Sequence, residues 1–260
     1  MMKENKLLNY IEEVLKNMPT DWLKLTTHRL DIYNESLAKT QFLKQFEALY
    51  KADNSKKSAL SELPTAFDYI RLGHPLSSVL EWGIAHLNDL KPDNVISFSS
   101  RTIPVLAILR KNLFNKKNTQ ILYIGELPDF FDFEAVRRVY GYDFELKQVE
   151  SIDDISDFNG STIFISQNDE MGTVNLNPKI DFLISLHPPS GSLLLVNGAQ
   201  NEGYVSEIQH VRRRETIAMT PDDSYSALQQ LIGKSSSSER KTFTAFLPSS
   251  TCAIKLGKSL

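Results

Sequence analysis

The stretch VISFSSRTIPVLAILRKNLFNKKNTQILYI, residues 95–124, holds two short apolar runs on either side of a segment with helical spacing. Val95 to Phe98 reads as a strand, Ile103 to Leu113 as a helix, and Ile121 to Ile124 as a second strand. Strands joined through a helix imply a crossover connection and parallel pairing. The alternation continues downstream. A helix through Glu134 to Tyr140 precedes a short strand, Phe144 to Val149. Thr162 to Ile165 is followed by the run Ile180 to Leu186, then by the strand Leu193 to Val196, with Thr216 to Met219 as another. Strands this apolar suit a sheet covered on both faces. The expected fold is therefore α/β: a three-layer, mostly parallel sheet with helices on both faces.

Helices precede this region. Leu7, Leu8, Ile11, Val14, Leu15 and Met18 predict an amphipathic helix over 4–18. Asn34 is a candidate N-cap for a helix running through Tyr50, and a third helix follows Pro75. Lys51 to Ser58 is polar and reads as a loop or linker, Pro188 to Gly191 as a turn, and Ser235 to Ser238 as a flexible run. The expected organisation is a helical segment over 1–58, an α/β domain over 59–234 and a short tail over 235–260.

Composition narrows the function classes. Hydrophobic residues make up 41% and charged residues 23% of 260, with a formal net charge of −3. There is no basic excess of the kind nucleic-acid binding requires. Arg212, Arg213 and Arg214 form a tight basic cluster that reads as a solvated helix end. The longest apolar runs are too short to span a bilayer, and no signal peptide is visible. Cys252 is the only cysteine, which excludes a disulfide within the chain and fits a reducing cytoplasm. The five histidines are scattered without ligand-like spacing, so no metal is expected.

An α/β sheet binds ligands at the carboxyl ends of its strands. Ser99, Ser100, Arg101 and Thr102 follow a strand and precede a helix; their hydroxyls and backbone N–H groups fit an anion site, or simple helix capping. Asn197 follows the most apolar strand, inside the expected crevice or as a turn residue before Gly198. Upstream, Tyr69 and Arg71 are spaced so that a hydroxyl and a guanidinium can address one anion; a core tyrosine and a surface arginine fit the same spacing.

Taken together, these stretches resemble the pyridoxal-phosphate (PLP) dependent enzymes of the aspartate-aminotransferase fold, in the Cys/Met-metabolism branch of transsulfuration synthases and lyases. The resemblance covers roughly residues 60–225. Tyr69, Arg71 and Pro75 match a Tyr-x-Arg-x-x-x-Pro segment that, in the family, reaches the cofactor phosphate of the neighbouring subunit. Ser99 and Ser100 match a phosphate-cradling Ser-Ser-Gly-Met loop. Asn168 is similar to the asparagine beside the cofactor ring, and Leu193 to Ala199 to the strand whose aspartate pairs with the pyridine nitrogen. The implications are PLP as cofactor, an amino-acid ligand, and a homo- or hetero-oligomer with a PLP-type chain.

The departures are as specific as the matches. Asn197 stands in the aspartate position and cannot hold the pyridine proton by charge. Arg101 replaces the glycine that permits close backbone approach. The family's ring-stacking tyrosine is absent after Gly125, where Phe130 and Phe131 stand instead. The Schiff-base lysine is expected near Ala218 to Asp222, where there is none. Lys234, further on, is the remaining candidate for that catalytic role. Only 38 residues follow Asp222, too few for the family's small domain.

Three functions follow from this reading. The first is a degenerate, non-catalytic chain that partners an active homologue. The second is a PLP enzyme of sulfur amino-acid metabolism using Lys234. The third is an unrelated α/β protein that binds a phosphate ligand, although no Gly-x-Gly-x-x-Gly is present and Leu228 stands where a phosphate loop at Gly233-Lys234-Ser235 needs glycine.

Overall fold

The computed structural model describes residues 2–24, 37–64, 71–167, 171–187 and 190–234. Six strands form one sheet: β1 (Val95–Phe98), β2 (Thr119–Tyr123), β3 (Glu145–Gln148), β4 (Ser161–Ser166), β5 (Phe182–His187) and β6 (Gly191–Val196). Their order is β1-β6-β5-β4-β2-β3. β2 pairs in parallel with β3 and β4, and β4 with β5, as the crossover pattern predicts. β6, however, runs antiparallel to both β5 and β1. Its connection explains this: residues 188–190 alone separate β5 from β6, and so short a link closes only an antiparallel pair. Gly191 makes the approach possible. Its φ is +129°, and a Cβ there would stand 2.0 Å from the Phe98 carbonyl oxygen.

Eight α-helices surround the sheet among the described residues: α1 (Met2–Asn17), α2 (Phe42–Lys51), α3 (Lys57–Ser61), α4 (Pro75–Leu87), α5 (Ile103–Asn115), α6 (Phe133–Tyr140), α7 (Val205–Glu215) and α8 (Pro221–Leu231). Alternation along the strands sorts the core into two. Val95, Leu122, Phe164, Leu183, Leu193 and Leu195 pack with α1, α2, α4 and α8. Ile96, Ile121, Ile163, Ile184, Leu194 and Val196 pack with α5, α6 and α7. The three layers expected from the sequence are present, and the N-terminal helices share the first core. A π-helical turn, Leu37–Gln41, leads into α2, while Asn34 lies outside the described residues. Trp82 of α4 is the pivot of the first layer: it meets Phe46 edge-on at 5.0 Å, and its indole N–H donates to Glu47 at 2.6 Å.

β1 is an edge strand, and side chains close its outer edge. Ser97 N–H and Oγ–H both donate to Glu81 Oε1 at 2.8 Å. Arg212 Nη1 donates to the Ser97 carbonyl at 3.1 Å, and Lys39 Nζ to the Val95 carbonyl at 3.3 Å. Glu81 in turn is ion-paired with Lys39 at 2.7 Å and Arg212 at 3.0 Å. Arg212 is therefore not the solvated helix end that its sequence suggests; it is only 3% exposed. Thr216 to Met219 is likewise not a strand. It runs irregularly beside the end of β1, where the Ile217 carbonyl accepts Ser99 N–H at 3.2 Å. Side chains already occupy the rest of that edge, so no ladder can form.

Burial alone would raise the Glu81 carboxyl, but Lys39 and Arg212 outweigh it and hold the group below the usual range. Nearby, His74 caps α4. Its Nδ1 accepts from Ser77 N–H at 3.2 Å, and its Nε2–H donates to the Met219 carbonyl at 2.6 Å. Burial pushes its pKa from 6.5 down to about 4, against the pull of Met219 and Glu81.

Two outcomes are expected. Glu81→Ala leaves two buried cations without their carboxylate and should cost about 3–5 kcal/mol in urea denaturation. Between pH 6.5 and about 4 the unfolded chain takes up a proton at His74 that the folded chain refuses. Stability should then fall with pH through that window, by up to roughly 1.4 kcal/mol per pH unit. His74→Asn, which can still cap but cannot protonate, should flatten the dependence of the urea midpoint between pH 7 and pH 5.

Candidate functional site

The carboxyl ends of β1, β2, β4 and β5 lie along one edge of the sheet, together with the start of β6. The loop Ser99 to Thr102 leaves β1 there and enters α5. Ser100 Oγ accepts N–H from Thr102 at 3.3 Å and from Ile103 at 3.2 Å, and Pro104 brings no N–H. These are the donors an anion at this helix terminus would use. Ser99 Oγ shares a hydrogen bond with Thr216 Oγ1 at 3.0 Å. Ser192 Oγ–H donates to the Ser100 carbonyl at 2.7 Å and ties the hairpin to the loop. The Arg101 guanidinium lies 4.1 Å from the centre of the Phe130 ring, in the loop after β2, a cation–π contact across the edge. Gln167, after β4, donates to the Glu126 carbonyl at 2.5 Å. Among the described residues, capping, hairpin and cation–π contacts tie the loops of this edge together.

Of the two readings of Ser99 to Thr102, capping is the one this geometry favours. Asn197 falls elsewhere. Because β6 runs against its neighbours, its last residue reaches the opposite edge, beside the start of β5. There Asn197 Nδ2 donates to the carbonyls of Ile180 at 2.7 Å and Asn177 at 3.3 Å. It ties two loops together and does not line the carboxyl-edge crevice. Arg71 lines a cleft along the flank of β1 in which none of Ser99, Ser100, Arg101 and Thr102 takes part. Tyr69 and Asn168 lie outside the described residues.

Lys234 lies just past α8, where Gly233 turns the chain at φ +74°. α8 packs on α1 and α4, and the Lys234 ammonium sits 2.9 Å from Glu12 of α1. That contact, with Lys16 second, holds the Glu12 carboxyl below its ordinary range. Lys234 is thus an exposed ion-pair partner in the helical layer. In sequence, the stretches that follow the carboxyl ends of β1, β2, β3, β4 and β5 (99–102, 124–132, 149–151, 167–170 and 188–190) contain no lysine. PLP needs a lysine amine for its covalent anchor and open donors for its phosphate. The described residues at this edge supply no such lysine, so they do not fit the cofactor's covalent anchor.

Sequence reasoning missed Ser192, whose role follows only from the hairpin, and the pairing of Arg101 with Phe130. Among the described residues no group of side chains could hold a metal ion, and no helix is long and apolar enough to cross a membrane.

No protein-family model matches the chain, and no curated protein matches it. Among solved structures, it is similar to metB from Corynebacterium glutamicum at 15% identity and a TM-score of 0.44, covering 86% of this chain and 63% of that one. It is similar to cystathionine gamma-lyase from Lactobacillus plantarum, complexed with L-serine, at 10% identity and a TM-score of 0.45, with the same coverage. It is also similar to cystathionine gamma synthase from Xanthomonas oryzae pv. oryzae, in complex with aminoacrylate and cysteine, at 12% identity and a TM-score of 0.43, covering 66% of this chain and 54% of that one. The chain therefore spans 54–63% of the length of these proteins.

Ser100→Ala removes the oxygen that satisfies two amides at the start of α5 and should cost about 1 kcal/mol, read from the shift in urea midpoint.

Proposed function

We propose that this chain is a non-catalytic relative of the PLP-dependent transferases and acts by pairing with a PLP-type chain, either a second copy or a homologue. The observation that carries this reading is a carboxyl edge without a lysine among its described residues, with Lys234 held by Glu12 in the helical layer. The motif order of residues 60–225 supports the kinship. Loss of the lysine, the aspartate and the glycine together supports the loss of catalysis, and it leaves an enzyme working through Lys234 without its reacting group in place.

An exposed apolar surface supports a partner. On α6, Val139 is 66% and Tyr140 53% exposed; at the end of α5, Phe114 is 67% exposed. Tyr140 stacks on Tyr142, which lines one groove with Leu113 of α5. Apolar patches of this kind mark association surfaces. A cytoplasmic setting is consistent with the single cysteine.

Incubation with PLP, borohydride reduction and peptide mapping should give no stoichiometric label on any one lysine. Light scattering after gel filtration should show an assembly larger than a monomer, and Val139→Glu with Phe114→Glu should break it. A monomeric chain labelled stoichiometrically at Lys234 would sink the proposal.

A further inference from the structure

The sheet ends on β1 at one side and on β3 at the other. Side chains close the outer edge of β1, but the outer edge of β3 is open. Val149 N–H donates to the Tyr123 carbonyl at 2.9 Å and so turns toward β2. By the alternation of a strand, Glu145 and Lys147 turn the same way, while Leu146 and Gln148 direct their N–H and C=O outward. No described residue bonds to those outward groups of Leu146 and Gln148. Next along the edge, the Phe144 carbonyl accepts from Arg137 at 3.0 Å. Glu145, Lys147 and Gln148 are exposed and Leu146 is half-buried. A row of free donors and acceptors at a sheet edge is a template for another strand.

The side chains select which strand. Glu145 and Lys147 share the face opposite to Leu146 and pair with each other along the strand, each side chain 54% exposed. When β3 meets its own copy antiparallel, outward backbone groups must face outward ones, which fixes the parity of the register. With the register centred on Leu146, the two copies of that residue exchange both N–H···O bonds. Each Glu145 then stands opposite the partner's Lys147. These are non-hydrogen-bonded positions, where Cα atoms lie about 4.5 Å apart and side chains are closest. Their exposure leaves both groups room for this second contact. A shift of two residues either way sets Glu145 against Glu145 or Lys147 against Lys147, and like charges directly opposite are destabilising. A larger shift leaves so short a strand almost unpaired. Charges ordinarily keep sheet edges apart. Here they oppose the neighbouring registers and favour one.

We propose that β3 pairs antiparallel with β3 of a second copy, in the register centred on Leu146, and joins two six-stranded sheets into one. This contact rests on the pairing with a PLP-type chain proposed above and makes that partner a second copy. A two-fold axis normal to the sheet generates it, so each face stays on its own side. α6 packs on the face that carries Leu146, and its two copies therefore lie on the same side of the joined sheet. Val139 and Tyr140, exposed on its last turn, add apolar surface beside the strand.

Sedimentation equilibrium of the full chain tests the contact, and a dimer is expected. Glu145→Lys opposes lysine to lysine twice across the axis, and Lys147→Glu opposes glutamate to glutamate twice. Each should weaken the dimer roughly tenfold or more. The double variant Glu145→Lys/Lys147→Glu should restore it. So should an equimolar mixture of the two single variants, in which every opposed pair again has opposite signs. Both positions are exposed, and unchanged circular dichroism checks that the variants fold. A monomeric wild-type chain overturns the inference while leaving pairing with a homologue intact. A dimer that neither single variant weakens also overturns it, and leaves the exposed surface of α5 and α6 as the contact. Failure of both the double variant and the mixture to restore the dimer overturns it as well.

Discussion

One carboxylate holds the first strand in place. Glu81 accepts from Ser97 backbone and hydroxyl on one side and faces Lys39 and Arg212 on the other, and these cations take the carbonyls that β1 leaves unpaired. A sheet edge in a protein interior needs a partner for each N–H and C=O, and here side chains stand in for a seventh strand. Because Glu81 belongs to α4, Lys39 to the turn before α2, and Arg212 to α7, the same group joins both helical layers across the end of the sheet. Two cations are needed to satisfy the strand, and one carboxylate brings them together.

The second constraint is the short hairpin between β5 and β6. It reverses β6 and inserts it between β5 and β1, so that its amino end, not its carboxyl end, reaches the edge where α/β proteins bind ligands. Ser192 then fastens the loop after β1, and Gly191 allows the hairpin to sit against Phe98. Ser100 here caps the start of α5 and Arg101 lies on Phe130, so both side chains are engaged with the protein itself.

The strands β1 to β6 and the helices α4, α5 and α6 are legible because their apolar runs are well separated and their periods differ, whereas α7 and α8 carry no such run and Thr216 to Met219 is not the strand its residues suggest. Pro75 marks a helix start for a steric reason that holds anywhere. What could not be read was sidedness. Asn197 was misplaced because a strand's direction depends on its connection; the signal was present, since Pro188 to Gly191 leaves too few residues for a crossover. Arg212 was misread because a buried arginine is recognisable only through its partner, and Glu81 lies 131 positions away. The capping and anion-binding readings of Ser100 use the same atoms, and only the path of the loop separates them.

The place of β1 also governs the order of events as the chain is made. One edge of β1 pairs with β6, and the other, beside upstream Lys39 and Glu81, needs Arg212 and Ile217, so β6, Arg212 and Ile217 all reach it from far downstream. Among the described strands, β1 leaves the ribosome first and is completed last. Until β6 and then α7 have been synthesised, an apolar strand with incompletely closed edges waits in the nascent chain. Such segments are where non-native strand pairing and aggregation begin, and long-range closure of this kind slows folding. Keeping that strand short, at four residues, and placing the charged Lys91 and Asp93 just ahead of it limits the hazard during synthesis.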